Sequence, residues 1–489
     1  ESLHGYFSWR LFTGSGFTHD PLMHGPFLFH ISAGSFFLFG DNEFTLRLPA
    51  ALFGAALVMT PLLLRNRLGN ISSLLIAVML AFSPSLLYFS RFARNDIFVA
   101  VWTIALVAMV WRYLDERKPK YIYLAAAFIS LGFATKETQY IIVAIVAIPL
   151  VVMARKDVFG WFWGHRRLSE WSPAGGMLVL VVTLTLPMIG AASGLIQGVF
   201  GLVLANNDSS IGQPLGTADG AGEIVAVAIT ALLLATAVLV GVLWNRRVWL
   251  IAFGIAISIF VVFYSSVFTH WAGLASGVWQ GLGYWVAQQD VARGGQPDYY
   301  YVMLTSVYEF LPATIGLVGA VYYAFKGDSF TRFLAYWPIA TFAAYSLAGE
   351  KMPWLMVHLA VPMIIMATKN FSNMAREIHG TFQFKFRWGI TVIGCLFVGL
   401  LAYHSLHISA DATYGFGRAG QGELPTEMIV YTQTHSHSLL MDKKICLQEK
   451  MIAVMMSSGW VGDMMIMGIS YLDSILKIMN LMKVYFLKQ

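Results

Sequence analysis

The chain has 489 residues, 57% of them hydrophobic and 12% charged, with a formal net charge of +6 and a mean hydropathy of +0.65. Soluble domains carry about 25% charged residues, so this composition excludes an ordinary soluble fold and points to an all-α polytopic membrane protein. The basic excess is not nucleic-acid affinity, because Lys and Arg in such chains mostly set orientation, and two distant cysteines, Cys395 and Cys446, make neither a disulfide framework nor a metal motif.

The first stretch, residues 1–43, is a polar loop with short apolar insertions. It holds Glu1, His4 and Arg10, then His19, Asp20 and His24 inside GFTHDPLMHGPFLFH. This string reads either as a surface turn or as the floor of a reaction site, with Asp20 and the histidines facing a cavity and Phe27, Leu28 and Phe29 facing lipid. The run 25–40 is too short to span and suits an interfacial or re-entrant helix. The chain opens at Glu1, already in a polar loop, so an upstream membrane helix is expected.

A span needs about 20 mostly apolar residues. Twelve are predicted: 44–64, 71–90, 97–114, 121–135, 138–153, 175–195, 223–244, 248–268, 310–325, 331–349, 353–369 and 387–405. Lys136 and Glu137 separate two short spans as a tight hairpin. Every second connection is basic: Arg65 and Arg67; Arg117, Lys118 and Lys120; Arg155, Lys156, Arg166 and Arg167; Arg246 and Arg247; Lys326; Arg376 and Lys385. The positive-inside rule puts these in the cytoplasm. It leaves 1–43, 91–96, 136–137, 196–222, 269–309, 350–351 and the chain after about 406 outside.

The outer charges are few and cluster at span ends, where ionisable groups are by default functional candidates. RFARND, residues 91–96, offers Arg91 and Arg94, whose planar forks suit phosphate. Asp96 suits either chemistry or a helix cap. The pairs Lys136–Glu137 and Glu350–Lys351 read as site residues or as self-satisfied turns. Residues 269–309, with Tyr284, Trp285 and Arg293, form a long stretch without evident structure. Its aromatics and amides suit a sugar site or lid, or an aromatic belt at the membrane interface. No Walker loop or Rossmann fingerprint is present. An acid acting as base beside cationic phosphate clamps suits transfer from a lipid-linked phosphate donor.

The strings LFTGSGFTHDPLMHGPFLFH, FGDNEFTLRLPAALFG, YFSRFARND, GFATKE and GEKMPWL, in this order over roughly residues 1–435, resemble the dolichyl-phosphate-mannose protein mannosyltransferase-like family. This is family 39-like within the GT-C superfamily, closest to its archaeal and bacterial flippase-activity-associated branch. The resemblance implies an integral membrane glycosyltransferase of the cell (plasma) membrane. It would move a sugar, with inversion, from a polyprenyl-phosphate donor to a protein or glycan acceptor on the extracytoplasmic face. It implies Glu1 and Asp96 as catalytic acids, Glu1 resembling the second member of an Asp-Glu pair whose Asp lies upstream. Arg91, Arg94, Lys136 and Lys351 would bind the donor phosphate. His19, Asp20, His24, Glu137, Tyr284, Trp285, Arg293 and Glu350 would line the substrate. Some relatives use a divalent metal, Mg or Mn, for which Asp96 is the candidate ligand. The lipid bilayer and the donor are the expected partners, with no nucleic acid.

Three regions are expected: the outer loop 1–43, a membrane domain 44–405, and an extracytoplasmic region 406–489 opened by a strand in GELPTEMIVYTQT. After about residue 436 the chain turns Met-rich and departs from the family. A flippase or transporter, or a non-catalytic partner of one, is the competing reading. It is disfavoured because no inverted repeat with midplane charges is visible.

Overall fold

Apolar runs punctuated by Pro, Gly and short charged strings become helices in the computed structural model. It describes residues 1–208, 214–288, 296–349 and 351–381, with isolated positions from 389 to 407. The last expected span is described only at such positions. The C-terminal region, its Met-rich tail, Arg293 and Glu350 lie outside the described residues.

In chain order the helices are α1 Ser2–Phe12, α2 Phe27–Phe39, α3 Glu43–Met59, α4 Arg65–Leu68, α5 Asn70–Phe82, α6 Pro84–Phe89, α7 Asp96–Glu116, α8 Pro119–Thr135, α9 Gln139–Met153, α10 Arg155–Phe162, α11 Pro173–Thr185, α12 Gln197–Phe200 and α13 Ala221–Tyr264. They continue with α14 Ala272–Ala275, α15 Gly281–Ala287, α16 Tyr300–Tyr308, α17 Phe310–Lys326, α18 Ser329–Leu347 and α19 Met356–Thr381. Among the described residues no strand forms, and Val203 pairs with Asp219 only as an isolated bridge. Three prolines sit where they cost little, at the first turn of α6, α8 and α11, where no backbone donor is needed, whereas Pro49, Pro149, Pro338 and Pro362 lie inside α3, α9, α18 and α19.

Among the described residues five helices are long and apolar enough to cross a membrane, or up to six if the bent pair α16–α17 counts as one span. The chain is membrane-embedded. Several expected spans are broken. Residues 71–90 divide at Ser83–Pro84 into α5 and α6, and 175–195 changes from α11 to a 3-10 run, Leu186–Ile196, at Pro187. The expected spans 223–244 and 248–268 form the 44-residue run α13. At 1.5 Å per residue this would be about 66 Å long, twice the ~30 Å hydrocarbon core. It breaks at Asn245 (φ −158°, ψ 97°), whose Oδ1 accepts the Val248 N–H. The Trp249 ring lies so close to Gly241 that a Cβ there would sit 2.1 Å from it. The run is therefore two helices folded back at the basic pair Arg246–Arg247.

The described part of 269–309, expected as a long stretch without evident structure serving as a sugar-site lid or an aromatic belt, is largely helical. It holds α14, a π-helical turn at Ser276–Gln280, and α15. Its glycines hid the periodicity, and they are what lets it pack. Trp279 and Leu282 bury with Ala191, Leu204 and Ala226.

The chain divides into two compact units, Glu1–Phe53 with Phe92–Val291, and Gly54–Arg91 with Ala292–Gln489. In the first, α7 is apolar on all sides and buried at the centre, with Ile97, Phe98, Val99, Ile104 and Leu106 enclosed. It packs on α8, which packs on α13. α13 leaves Ile224, Val227, Leu232 and Leu239 exposed, the side-chain set of a lipid-facing helix. In the second unit α17 lies against α18 and α19, and α5 against α19. Gly319 brings α17 within 2.7 Å, measured from a hypothetical Cβ, of the Asn370 side chain. Small residues allow such approach where no hydrophobic drive joins helices.

Candidate active site

Glu1 precedes α1 and is the first piece of a charged cluster in the first unit. Its carboxylate receives a two-pronged grip from Arg47 of α3, Nε to Oε1 at 3.1 Å and Nη2 to Oε2 at 2.9 Å. Such forked pairs are geometrically specific as well as strong. Arg47 also holds Glu43 one turn back, at 2.7 Å. The backbone N–H of Ala93 donates to Glu1 Oε1 at 2.9 Å, so the chain's first acid is tied to the RFARND loop.

That loop ends where α7 begins. Asp96 stands in the first turn, where the helix dipole favours negative charge. It is 1% exposed. Lys136, itself buried, reaches its Oδ1 at 2.6 Å, and Arg94 Nε lies 3.9 Å from Oδ2. Asn95 Nδ2 donates to the Thr135 carbonyl at 2.9 Å, locking the RFARND loop to the end of α8. The structure thus joins Glu1, Arg94, Asp96 and Lys136, which come from three separate motifs.

The string THDPLMHGP lies against the same corner. Gly25 N–H donates to Thr135 O at 3.2 Å, and a Cβ on Gly25 would sit 2.3 Å from Ala134 O. Only glycine permits this approach. It places His24 Nδ1 2.7 Å from Glu137 Oε2. Burial alone would raise the Glu137 pKa, but the charge and hydrogen bond of His24 outweigh it and the carboxyl lies below its ordinary value. His19 is buried, with Nδ1 2.7 Å from Ser276 Oγ and its ring edge-on to Tyr264. Burial lowers its pKa to about 4, so the ring is neutral at pH 7. His4 is buried too, stacked on Phe29, and is held well below its ordinary pKa by burial first and Arg94 second.

Asp20, expected to face a cavity, is exposed and caps the 3-10 turn Pro21–Met23 through the Leu22 N–H at 2.9 Å. Phe27, Leu28 and Phe29 do not face lipid. They are 6%, 0% and 0% exposed, because Phe27 packs on Phe53, Phe98 and Trp102, and Phe29 on Phe7 and Phe17. The exposed face of α2 is Phe37, Leu38 and Phe39 at its far end.

Tyr284 and Trp285 lie on α15, and Trp285 packs against the Trp279 cluster. In the second unit Arg91 follows α6, and Lys351 is buried with Nζ 3.3 Å from Asp298 Oδ1. Sequence reasoning missed Arg47, which sits inside an expected span. It also missed Glu309, a buried acid at the 110° bend between α16 and α17. Glu309 Oε1 accepts from Ser83 Oγ at 2.5 Å and Ser85 N–H at 3.1 Å. An acid immediately before an apolar run with Pro312 was its only signal. Among the described residues no three His, Cys, Asp or Glu gather as a metal cage. The groups around Asp96 are cations, which do not fit a metal site.

Residues 23–186 match the family model described as dolichyl-phosphate-mannose-protein mannosyltransferase. The match spans 164 of the 489 residues. It contains three of the five motif strings whole, including YFSRFARND and GFATKE, and hence Arg47, Arg94, Asp96, Lys136 and Glu137. The search of curated proteins finds no match. Among solved structures, the chain is similar to apo ArnT from Cupriavidus metallidurans, with 14% identity, 98% of this chain and 71% of that one covered, and a TM-score of 0.47. ArnT bound to undecaprenyl phosphate gives 14%, 98%, 72% and 0.47. The Archaeoglobus fulgidus oligosaccharyltransferase in complex with Zn and sulfate gives 17%, 83%, 48% and 0.47.

Proposed function

We propose that this chain is an integral membrane glycosyltransferase acting at the extracytoplasmic face of the plasma membrane. It moves a sugar from a polyprenyl-phosphate donor to a hydroxyl or amide of a protein or glycan acceptor. The observation that supports this most is the gathering of Glu1, Arg47, Ala93, Arg94, Asp96 and Lys136 in one unit, by hydrogen bonds and, for Arg94, by a 3.9 Å charge contact with Asp96. All but Glu1 lie in the segment that matches the mannosyltransferase family model.

The chemistry follows from these groups. A carboxylate takes the acceptor's proton as the acceptor attacks the anomeric carbon. The bond from that carbon to the phosphate oxygen breaks, and the polyprenyl phosphate leaves with the electron pair. A single displacement inverts the anomeric centre. The leaving phosphate needs cations. Lys136 and Arg94 would supply them, and Lys136 moving from Asp96 to the phosphate would free a carboxylate as base. No step runs through a metal.

The test uses full-length protein in proteoliposomes with a panel of polyprenyl-phosphate hexose donors, with rates normalised to the folded fraction. Removing the base costs about 10²–10⁴-fold in turnover, so Asp96→Asn or Glu1→Gln should lose transfer on that scale. Lys136→Gln should chiefly raise the donor KM. Unchanged transfer in both carboxylate variants would reject these sites.

A further inference from the structure

The segment between α9 and α11 has no role in the proposed transfer. α9 runs 15 residues, about 22 Å, from the Lys136–Glu137 corner to α10. α10 and the turn after it, residues 155–167, read RKDVFGWFWGHRR. Phe159, Trp161, Phe162 and Trp163 are 64%, 49%, 73% and 68% exposed. Arg155, Lys156, His165 and Arg167 are exposed among them.

The excursion is held in shape from beneath. Asp157, buried, takes Arg166 Nη1 on one oxygen, and the N–H and hydroxyl of Ser172 on the other. Gly164 reverses the chain with φ 71°. Asp157 is thus neutralised inside the turn, while Arg155, Lys156 and Arg167 remain outward. Glu170, exposed nearby, has Oε2 taken by the Arg167 N–H. Interleaved charges bar this surface from the hydrocarbon, and four adjacent large aromatics are ill suited to water. Trp and Phe beside Arg and Lys match the headgroup layer, rings among the upper chains and cations at phosphates.

We propose that α10 and its following turn are a docking surface for anionic phospholipid headgroups, in the leaflet at the opposite end of α9 from the Asp96–Lys136 cluster. The partner is identified by charge complementarity: three outward cations on a clamped aromatic platform continuous with a membrane-embedded bundle.

The full chain is placed in nanodiscs of phosphatidylcholine alone or mixed with phosphatidylglycerol. Unfolding temperature and retained phosphatidylglycerol, counted by mass spectrometry, are the readouts. The mixed nanodisc should raise the unfolding temperature, and inorganic phosphate should not. Each cation near the surface is worth about fivefold in apparent affinity. Arg155→Gln/Lys156→Gln/Arg167→Gln should therefore lose the phosphatidylglycerol increment and most retained lipid. Should that variant fold poorly, Lys156→Gln alone must lose about fivefold. An undiminished increment in either variant, or an equal one from inorganic phosphate, overturns the proposal.

Discussion

Asp96 and Lys136 show how much a single pair decides. Both are buried, and removing one partner leaves a charge without compensation, at a cost of about 3–5 kcal/mol. Lys136→Met and Asp96→Leu should each destabilise the protein by that order. The double variant should recover most of the loss, because two apolar groups replace a desolvated pair. A double-mutant cycle in detergent-phase unfolding measures this, and additive losses would show that the pair is not coupled. His19 makes a second residue-scale prediction. Its folded pKa of about 4 lies below the ordinary 6.5 because it is buried. Between those values the unfolded chain binds the extra proton, so stability falls as pH drops from about 6.5 towards 4. By linkage the loss approaches about 3 kcal/mol at the bottom of that window. His19→Asn should flatten this part of the unfolding profile, and an unchanged slope would count against the assignment. The histidines were visible in the sequence as a cluster, but the sequence could not say that His19 is a buried neutral group while His24 meets an acid. Those environments are built by Ser276 and Glu137, far along the chain.

At the scale of elements, two helix ends and one loop make the cluster. α7 begins at Asp96, α8 ends at Thr135, and Gly25 docks on the end of α8. Gly25→Ala would drive a methyl group into the Ala134 carbonyl, 2.3 Å away. Overpacking typically costs about 1–3 kcal/mol. It should also pull His24 from Glu137 and reduce transfer more than a surface change such as Ser169→Ala. Wild-type unfolding and transfer in Gly25→Ala would reject this docking role. Spans whose apolar runs were continuous, α7 and α8, were legible to within two residues. The runs 71–90 and 175–195 were read as one helix each, since a hydropathy run continues through the break at Ser83–Pro84 or the 3-10 turn at Pro187 that backbone geometry imposes. The 269–309 region failed for the complementary reason. Its helices pack through glycines and bury scattered aromatics, which leaves no periodic stripe to read.

For the whole molecule, the alternation of basic connections makes a topology prediction. Cysteines placed at Ser15 and at Lys156, both exposed, in a background lacking Cys395 and Cys446, should label from opposite sides of sealed cells. Ser15 should be open to impermeant reagents from outside, and Lys156 only after permeabilisation. Labelling of both from one side would overturn the orientation. Composition, hydropathy and motif order by themselves determined that this is a helical membrane protein, and that residues 23–186 resemble the mannosyltransferase family, because each is a local or additive property of the chain. Only the tertiary structure decided that Glu1 is gripped by Arg47, that Asp96 is paired with Lys136, that Phe27 to Phe29 are core rather than lipid-facing, and that Glu309 is buried at a helix bend. These depend on which distant backbones are brought within hydrogen-bond reach, and no spacing along the chain encodes that distance.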